Sequence, residues 1–547
     1  MRSSEPRASV HVMRSAIPRT GPRESRGRVR GREPGVVAQA PSAQHASRAT
    51  LALGSRRCQG SGPMPARFPL VRSLGVRDPL AALRALSGLP HAFLLHSSLT
   101  DDRGRWSFFG ADPFALHRAG SYDAAVSDWR ALAARVRSED PADPPAPFSG
   151  GVVGYWAYDF GRRLERLPAH SADDLGLPDF VLGFYDVVGA CDHRSGEAWL
   201  FSSGLPLEGP SRREHAARRL DRFTRILDRA APEPGRRVSI GGGESAGARL
   251  VSGPDGVSST FSAGGYRRAV EKVKQHIRRG DIYQANLSRR WSVPLGVVDP
   301  GSFGLELLST LATCSPAPFA AYFNAGDHEV ASASPERFLE LRGQRVEARP
   351  IKGTRPRGAG PIEDARLAAE LLASVKDRAE NVMIVDVLRN DMGRVCETGS
   401  IEVPSLCALE TYPQVFHLTS TVTGVLRERL DAFDLLHACF PGGSITGAPK
   451  IRAIEILDGL EPVRRHLYTG SLGYVDWRGD ADWNIAIRTA LLTRRVLHFA
   501  AGGGITADSD PEAERLETLH KAEGIRRALS LTLGPVALES EERAVPA

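Results

Sequence analysis

The feature that most constrains the fold is an irregular mixture of strand-like and helix-like segments. Short apolar runs broken by glycines, such as Gly150 to Asp159, indicate strands with bulges or close backbone approaches. The segment from Tyr266 to Ile277 has apolar residues at helical spacing and is followed by Gly280, which predicts a helix. Because no regular strand–helix–strand repeat orders these elements, the sequence predicts an α+β fold rather than a doubly wound parallel sheet.

The length of the chain indicates more than one domain, since 547 residues exceed a typical single domain. We expect five segments: a disordered basic extension over 1–63, an N-terminal domain over 64–230, a linker over 231–260, a second domain over 261–535 and a flexible tail over 536–547. No apolar run approaches the length needed to span a bilayer.

The positive charge of the chain is concentrated at its start. Residues 1–63 hold twelve Arg, no Lys, three Glu and no Asp, a net charge of +9, while the whole chain is +7. The other 484 residues therefore carry −2, which argues against a nucleic-acid-binding body. Residues 1–63 have three interpretations: a transit-like segment, a nucleic-acid-binding arm, or sequence upstream of a true start at Met64. We favour the last, because no apolar face accompanies the arginines.

The six cysteines are scattered and form no C-x-x-C pair. This spacing indicates neither a disulfide framework nor a zinc site, and it is typical of a protein of the reducing cytosol. We therefore expect a cytoplasmic location.

One short segment, Pro350 to Arg357, is predicted to be a rigid turn that presents a single amine. Its Lys352 stands between Ile351 and Gly353, with a proline near each end. Taken alone, an exposed surface lysine is the simpler interpretation.

Two predicted helices, one over 362–390 and one capped by Asp510 with Pro511 at its first position, each carry a pair of acidic residues on one face. Asp377 and Glu380 form the first pair, and Glu514 and Glu517 form the second, with Lys521 four residues further on. Two such pairs from separate helices suit a hard cation such as Mg²⁺, which takes one or two carboxylates and leaves sites for water and substrate oxygens. For either helix alone, a solvated face with Glu–Lys pairs is the better interpretation.

Two glycine-rich segments suit the close approach of an anionic ligand. Gly442 to Lys450 is not a P-loop, because Ala448 and Pro449 stand where the Lys and Ser/Thr would follow the second glycine. Its backbone amides and the following helix start suit a carboxylate. Ala501 to Ile505 offers a second approach, and Arg488 suits a bidentate clamp on a carboxylate.

Taken together, these motifs resemble the chorismate-utilising enzymes in order and spacing across roughly 260–530. The motifs that carry the resemblance are Ser334-Pro335-Glu336, Pro350 to Thr354, Asp377 to Asn381 with Asp386 and Arg389 to Asp391, Gly442 to Lys450, Ile487-Arg488-Thr489 and Gly502 to Gly504. Residues 64–230 look like the N-terminal domain of anthranilate and aminodeoxychorismate synthases, and nothing in 1–63 matches. The resemblance implies large antiparallel sheets packed as a sandwich with surrounding helices.

The resemblance also implies a reaction, in which chorismate exchanges its C4 hydroxyl for an amine. With lysine at position 352, the segment is similar to that of aminodeoxychorismate synthases of the p-aminobenzoate and folate branch. Anthranilate synthases carry Ala at this position. Lys352 would attack C2 as nucleophile, with a lowered pKa, and Glu336 would protonate the departing hydroxyl. Ammonia would then enter at C4 and expel Lys352.

The resemblance assigns the remaining site residues to metal and carboxylate binding. Glu380 and Glu517 would hold Mg²⁺ against the ring carboxylate. The chorismate-binding residues would be Gly353, Thr354, Tyr468, Arg488, Gly502, Gly503, Gly504 and Lys521, with His417 a candidate polar contact or a core histidine.

The source of ammonia is predicted to be a partner. None of the six cysteines stands in a Gly-x-Cys-x-Gly nucleophile elbow, so the chain has no visible glutaminase. We expect a heterodimer with a glutaminase subunit. The alternatives are an anthranilate synthase component and an isochorismate or salicylate synthase. Isochorismate and salicylate synthases also carry a lysine in the pocket, so lysine alone does not decide, but they use water and act without a glutaminase.

A departure from the family pattern bears on regulation. Leu94 to Ser97 has His96 where tryptophan-regulated anthranilate synthases carry Glu. This argues against feedback by tryptophan, although Pro318 to Ala320 remain candidates for lining a pocket related to the tryptophan site.

Overall fold

The structure is a computed structural model that describes residues 67–99, 104–139, 143–229, 257–295, 302–493 and 495–538. The predicted extension 1–63, most of the predicted linker 231–260 and the end of the predicted tail 536–547 lie outside these residues. Val536 and Leu538, at the start of that tail, are buried against the core. Within the described part of the chain, no helix is both long and apolar enough to cross a membrane.

The described residues form a mixture of strands and helices. The strands are β1 (Leu70–Val76), β2 (Phe93–His96), β3 (Trp106–Gly110), β4 (Ala115–Arg118), β5 (Gly151–Trp156), β6 (Phe180–Tyr185), β7 (Val187–Asp192), β8 (Glu197–Ser202), β9 (Ser258–Ser259), β10 (Gln284–Pro294), β11 (Phe319–Asn324), β12 (Glu329–Ser334), β13 (Arg337–Arg342), β14 (Arg345–Ala348), β15 (Ile351–Pro356), β16 (Glu402–Thr411), β17 (Val415–Val425), β18 (Gly447–Ala448), β19 (Ser471–Asp476), β20 (Ala481–Asn484), β21 (Thr489–Leu492) and β22 (Val496–Ile505). The helices are α1 (Pro79–Leu86), α2 (Tyr122–Ser138), α3 (Gly161–Leu164), α4 (Gly209–Arg229), α5 (Ala263–Arg278), α6 (Phe303–Cys314), α7 (Pro361–Ala373), α8 (Val375–Gly393), α9 (Ala432–Cys439), α10 (Lys450–Leu460) and α11 (Pro511–Leu533), with 3₁₀ turns at Tyr158–Phe160 and Gly443–Ile445.

The strands build two large antiparallel sheets. The first has twelve strands in the order β1-β8-β7-β3-β2-β11-β12-β21-β22-β10-β18, with β9 paired to β10. The second has ten strands in the order β15-β17-β14-β13-β20-β19-β5-β6-β4, with β16 paired to β17. These sheets confirm the predicted α+β fold with large antiparallel sheets.

The two sheets pack on each other through a shared apolar core. Phe93 and Phe323 of the first sheet belong to the same buried cluster as Val153 and Tyr155 of the second. Alternate side chains of each strand point to opposite faces, so each sheet contributes one face to this layer.

Both sheets contain strands from the predicted N-terminal and second domains. In the second sheet, Ser471 of β19 pairs with Trp156 of β5. In the first, Ala320 of β11 pairs with His96 of β2. The boundary near 231–260 therefore divides the sequence but not the sheets, and the domain organisation stays a prediction.

Two helices near the site, α5 and α11, agree with the helices predicted from the sequence, whereas α7 and α8 do not. The predicted helix beginning near Tyr266 is α5, and Asp510 caps α11 by accepting hydrogen bonds from Glu512 N and Ala513 N. The prediction of a single helix over 362–390 is wrong, because α7 ends at Ala373 and α8 begins at Val375. Ser374 separates them, in extended conformation, and its side chain caps α8 at Asp377 N.

Candidate active site

The segment that carries Lys352 is an edge strand rather than the predicted turn. Strand β15 pairs with β17, with Ile351 opposite Thr419 and Thr354 opposite His417. The register shifts between these pairs, so Lys352 and Gly353 lie in a β-bulge. Backbone pairing with β17 outweighed the local turn preference of the prolines, and the bulge re-aims the lysine.

Gly353 allows this bulge because of its backbone angle and its surroundings. Its φ is 83°, which other residues rarely adopt. A Cβ at this position would lie 2.9 Å from Cβ of Asp377 and 2.9 Å from Cδ1 of Leu371. Helices α7 and α8 therefore pack directly on the bulge.

Lys352 is surrounded by charged groups of both signs. Burial lowers the pKa of its ammonium, and the nearby charge of Lys521 lowers it further, while Glu380, Glu336 and Glu517 oppose the shift. All four of these residues are in the set predicted from the sequence, and their charges converge on one amine.

Glu336 follows strand β12 and is buried, with only 5% of its surface exposed. Burial raises the pKa of its carboxyl group, while a hydrogen bond from Ser444 and the charge of Lys352 oppose the rise. Ser444 belongs to the glycine-rich turn at Gly443–Ile445. The glycine-rich segment of the sequence thus contacts the candidate acid.

The glycines of strand β22 lie against three carboxylates. A Cβ on Gly503 would lie 2.7 Å from Oε2 of Glu514 and 3.8 Å from Oε1 of Glu517, and a Cβ on Gly504 would lie 3.3 Å from Oε2 of Glu380. Only glycine leaves room for the carboxylates to approach this strand so closely. The two predicted acidic helices therefore meet at β22.

Two lysines partly neutralise this group of carboxylates. Nζ of Lys521 lies 2.7 Å from Oε1 of Glu517 and donates to the carbonyl oxygen of Gly502 at 2.9 Å. Nζ of Lys376 lies 3.3 Å from Oε1 of Glu514 and 4.0 Å from Oε1 of Glu380. Burial tends to raise the pKa of Glu517, but Lys521 and Lys376 outweigh it and the pKa is lowered.

The carboxylates of Glu380, Glu514 and Glu517 are compatible with a divalent cation, although they are not arranged in coordination geometry. Oε2 of Glu514 is buried and has no hydrogen-bond partner. Burial raises the pKa of Glu380, as expected for a carboxylate that lacks full compensation by cations. Among the described residues, no three His, Cys, Asp or Glu side chains form a group that would hold a metal by themselves.

Arg488 has an unusual environment for an arginine. It stands just before β21, and burial alone lowers the pKa of its guanidinium. Within the described residues its side chain makes no hydrogen bond or ion pair. A half-buried guanidinium without an anion suits an incoming carboxylate.

Tyr468 and Thr354 are held by neighbours other than Lys352. Tyr468 N donates to Arg465 O at 3.1 Å, and burial raises the pKa of its phenol. Oγ1 of Thr354 lies 2.9 Å from Nδ1 of His417, which is buried. His417 is thus anchored in the sheet beside the bulge.

Sequence reasoning missed several residues that shape the site. Glu514 was noted as half of an acidic pair without a role, and Ser444 only as part of a glycine-rich segment. Gln284 had no sequence signal, yet a Cβ on Gly504 would lie 2.0 Å from its Nε2, and its Oε1 is buried without a partner. Its position opposite Ala448 follows from strand pairing, which no local pattern predicts.

A cavity of about 500 Å³, whose lining includes none of the candidate site residues, is lined by Pro318, Phe319 and Ala320 together with Leu95 and His96. Pro318 to Ala320, the candidates for lining such a pocket, therefore do line a cavity. Burial, followed by the nearby His193, lowers the pKa of His96 to about 4. At neutral pH this cavity has an uncharged imidazole where the regulated relatives are expected to carry a carboxylate.

The sequence matches known proteins over most of its length. A profile of the family described as chorismate binding enzyme matches residues 93–527. An anthranilate synthase component 1 from Cereibacter sphaeroides is 39% identical over 451 residues, covering 78% of this chain and 86% of that protein. An aminodeoxychorismate synthase component 1 from Salmonella typhimurium is 38% identical over 458 residues, covering 81% and 93%. Identity alone does not separate these two activities.

The fold also matches a solved structure. The anthranilate synthase component I of Streptococcus pneumoniae superposes with a TM-score of 0.60 at 26% identity, covering 86% of this chain and 95% of that one. The two-sheet architecture is therefore shared with that structure.

Proposed function

Since the chain belongs to the family of chorismate binding enzymes, as its motifs predicted, we propose that it is the chorismate-aminating component of an aminodeoxychorismate synthase. It converts chorismate and ammonia to 4-amino-4-deoxychorismate and water, for p-aminobenzoate and folate synthesis. The observation that carries this proposal is Lys352, an amine with a lowered pKa among the charges of Glu380, Lys521 and Glu336.

The first step forms a bond between Nζ of Lys352 and C2 of the ring. Burial favours the neutral amine, which is the nucleophilic form. As the N–C2 bond forms, the ring double bonds shift and the C4–O bond breaks. Glu336 protonates the departing hydroxyl, which leaves as water, and then recovers a proton from the newly formed secondary ammonium.

The second step brings ammonia to C4 and releases the lysine. As the C4–N bond forms, the double bonds shift back and the N–C2 bond breaks. The excess proton of the incoming nitrogen passes to Lys352. Two displacements retain the geometry at C4, and the ring acquires nitrogen there rather than at C2.

Binding of chorismate uses its two carboxylates. Mg²⁺, when bound, supplies positive charge that anchors the ring carboxylate. Glu380 and Glu517 would hold the ion, and the orphaned Oε2 of Glu514 supports a cation at this place. Arg488, Tyr468 and the backbone of Gly502 to Gly504 receive the enolpyruvyl carboxylate, with Lys521 adding charge and Gly353 and Thr354 lining the ring.

An anthranilate synthase is the second candidate, because one such relative is 39% identical. The resemblance assigns Ala to the position of Lys352 in that group. Without a nucleophile at C2, ammonia adds there and anthranilate forms. The lysine therefore favours amination at C4.

Ammonia comes from a glutaminase partner. The relatives are named component 1, and the sequence has no Gly-x-Cys-x-Gly elbow of its own. The two proteins form a heterodimer in the cytoplasm. The five cysteines in the described residues are free thiols, which suits that compartment.

Product analysis tests the proposal. The purified chain is supplied with chorismate, Mg²⁺ and excess ammonium, with and without a lyase that releases p-aminobenzoate from aminodeoxychorismate. We expect p-aminobenzoate only when the lyase is present. Anthranilate as the main product, or isochorismate or salicylate made without ammonium, would reject the assignment.

A further inference from the structure

Lys376 reaches from helix α8 into the carboxylates that gather beside strand β22. Its Nζ lies 3.3 Å from Oε1 of Glu514 and 4.0 Å from Oε1 of Glu380. Glu380 stands on the same helix, and Glu514 stands on α11. The ammonium group therefore lies at the junction of the two acidic helices, where the proposed function places Mg²⁺.

Lys376 does not stabilise the helix that carries it. Ser374 caps α8, so Lys376 lies in the first turn, where the helix dipole favours anions and disfavours cations. In its i, i+4 pair with Glu380 the lysine precedes the glutamate, which is the less favourable order. Because the helix gains little from a cation at this position, the contact with Glu514 on α11 is the better explanation for the lysine.

The lysine and its carboxylate partners differ in their access to solvent. The side chain of Lys376 is 48% exposed, whereas those of Glu380 and Glu514 are 12% and 3% exposed. Buried carboxylates need a cation beside them, since an unpaired buried charge is costly. A long, flexible lysine side chain can turn into solvent, where its ammonium is strongly hydrated. The carboxylates are therefore fixed, and the ammonium is the member of the cluster that can be exchanged.

The charges of the cluster indicate what the ammonium would be exchanged for. The cluster has three carboxylates and two ammonium groups, those of Glu380, Glu514, Glu517, Lys376 and Lys521. Lys352 adds no charge in its reactive, neutral form, and the neighbouring Asp377 has its own cation, Arg355, at 3.3 Å. One negative charge is thus left over. Replacing the ammonium of Lys376 with Mg²⁺ makes the cluster neutral, whereas adding Mg²⁺ beside it leaves an excess positive charge and repulsion between two cations.

We infer that Lys376 competes with Mg²⁺ for the carboxylates of Glu380 and Glu514 in the substrate-free protein; this rests on the proposed function, which places the metal there. When the metal leaves, the ammonium keeps the buried carboxylates paired. When the metal enters, the lysine side chain turns towards solvent. Lys376 therefore weakens the affinity for the free ion, and the ring carboxylate of chorismate, as a further ligand, adds the affinity that the protein gives up.

The test measures Mg²⁺ binding in the full-length protein, with neither chorismate nor ammonium present. Lys376→Met removes the charge and keeps a side chain of similar length with a high helix propensity. Lys376→Arg keeps a cation at the same place, and Lys272→Met is the matched control, because Lys272 is an exposed lysine on α5. Calorimetry gives the Kd for Mg²⁺, and thermal unfolding with and without Mg²⁺ gives a readout that does not depend on activity.

We expect Lys376→Met to bind Mg²⁺ about fivefold or more tightly than wild type, since even an exposed ion pair is worth up to about fivefold in an equilibrium constant. Its Tm without Mg²⁺ should fall, and the difference from wild type should shrink at saturating Mg²⁺. Lys376→Arg should bind Mg²⁺ less tightly than Lys376→Met, and Lys272→Met should match wild type.

A Kd for Mg²⁺ in Lys376→Met equal to that of wild type overturns the inference, because it shows no competition. So does weaker binding, which would mean that the lysine positions the carboxylates for the metal, or an equal gain in Lys272→Met. A wild-type protein that binds no Mg²⁺ rejects the metal site and the inference together. Failure of the proposed reaction is distinguishable, since product analysis with ammonium detects it and Mg²⁺ binding is measured without turnover.

Discussion

The guanidinium of Arg465 and the carboxylate of Glu461 form a buried ion pair, with Nη2 of the arginine 2.7 Å from Oε1 of the glutamate. Arg465 also donates to the carbonyl oxygens of Asn286 and Ile445, at 2.5 Å and 3.0 Å. Glu461 accepts from both N and Oγ of Ser288 at 2.9 Å. The pair therefore joins β10, which supports the glycine strand, to the turn that contacts Glu336.

Replacing Arg465 with Met should destabilise the protein and displace this turn. Breaking a buried ion pair costs about 3–5 kcal/mol, because the remaining carboxylate stays buried without a cation. The double variant Arg465→Met/Glu461→Leu should recover part of that loss. Urea unfolding followed by circular dichroism measures both. A double variant that is less stable than the single variant would show that the hydrogen bonds from Ser288 to Glu461 stabilise the fold more than the unpaired buried carboxylate destabilises it.

Lys352→Ala should abolish aminodeoxychorismate formation, with a loss of roughly 10³-fold or more, because the first displacement has no nucleophile. Slow direct addition of ammonia at C2 remains, which gives an anthranilate-like product. Liquid chromatography with the lyase-coupled assay separates the two products. Lys272→Ala, an exposed lysine on α5, is the control. Full aminodeoxychorismate output from Lys352→Ala would exclude the covalent step.

The rate should depend on pH with two limbs. Burial lowers the pKa of Lys352, so the reactive free amine accumulates as pH rises. Burial raises the pKa of Glu336, so the proton it must donate is lost as pH rises further. The rate therefore rises and then falls. Glu336→Gln should remove the falling limb and lower the maximum by about 10²–10⁴-fold. The profile is measured as kcat/KM for chorismate at constant free ammonia, and a falling limb that persists in Glu336→Gln would assign it to another group.

Local chemistry in the sequence was enough to single out candidate site residues, whereas features that depend on strand pairing were not foreseen. Arg488 and the two acidic pairs suit a dicarboxylate and its cation, and the resemblance to the chorismate-utilising enzymes assigned Glu380 and Glu517 to the metal. The bulge at Lys352 was missed because it depends on pairing with Thr419 and His417, about 65 residues further along the chain. The break at Ser374 was missed for a different reason: the apolar positions of α7 and α8 continue the same period across it, and only the cap of Ser374 on Asp377 reveals it.

Tryptophan should inhibit this protein weakly. The cavity that includes His96 and Phe319 has a neutral imidazole at neutral pH, because burial lowers the pKa of His96 to about 4. An imidazole in that state gives no ion pair to the ammonium of an amino acid. His96→Glu should strengthen tryptophan binding about 10- to 100-fold, since a hydrogen bond to a charged group contributes about 1.5–3 kcal/mol. Calorimetry with both proteins checks this. Tight binding to wild type, unchanged in His96→Glu, would show that another acidic group of the cavity suffices.

Glu380→Gln and Glu517→Gln should each weaken the response to Mg²⁺ while the fold is kept. Each side chain is expected to contribute one carboxylate, and hard cations bind a neutral amide oxygen less strongly than a carboxylate. The Mg²⁺ concentration for half-maximal rate should rise roughly 10- to 100-fold. The matched control is Glu523→Gln, since Glu523 also lies on α11 and also pairs with a cation, Arg526, at 2.6 Å.

Glu514→Gln distinguishes metal binding from a purely structural role at the same place. Its Oε1 accepts from Ser509 at 2.6 Å and its Oε2 has no partner. If Oε2 faces the cation, the variant should raise the Mg²⁺ requirement in the same direction as Glu380→Gln. Thermal unfolding with and without Mg²⁺ gives a readout that does not depend on activity, because an ion that binds only the folded state raises Tm. Mg²⁺ titrations and Tm shifts that match wild type in all three variants would reject the metal site.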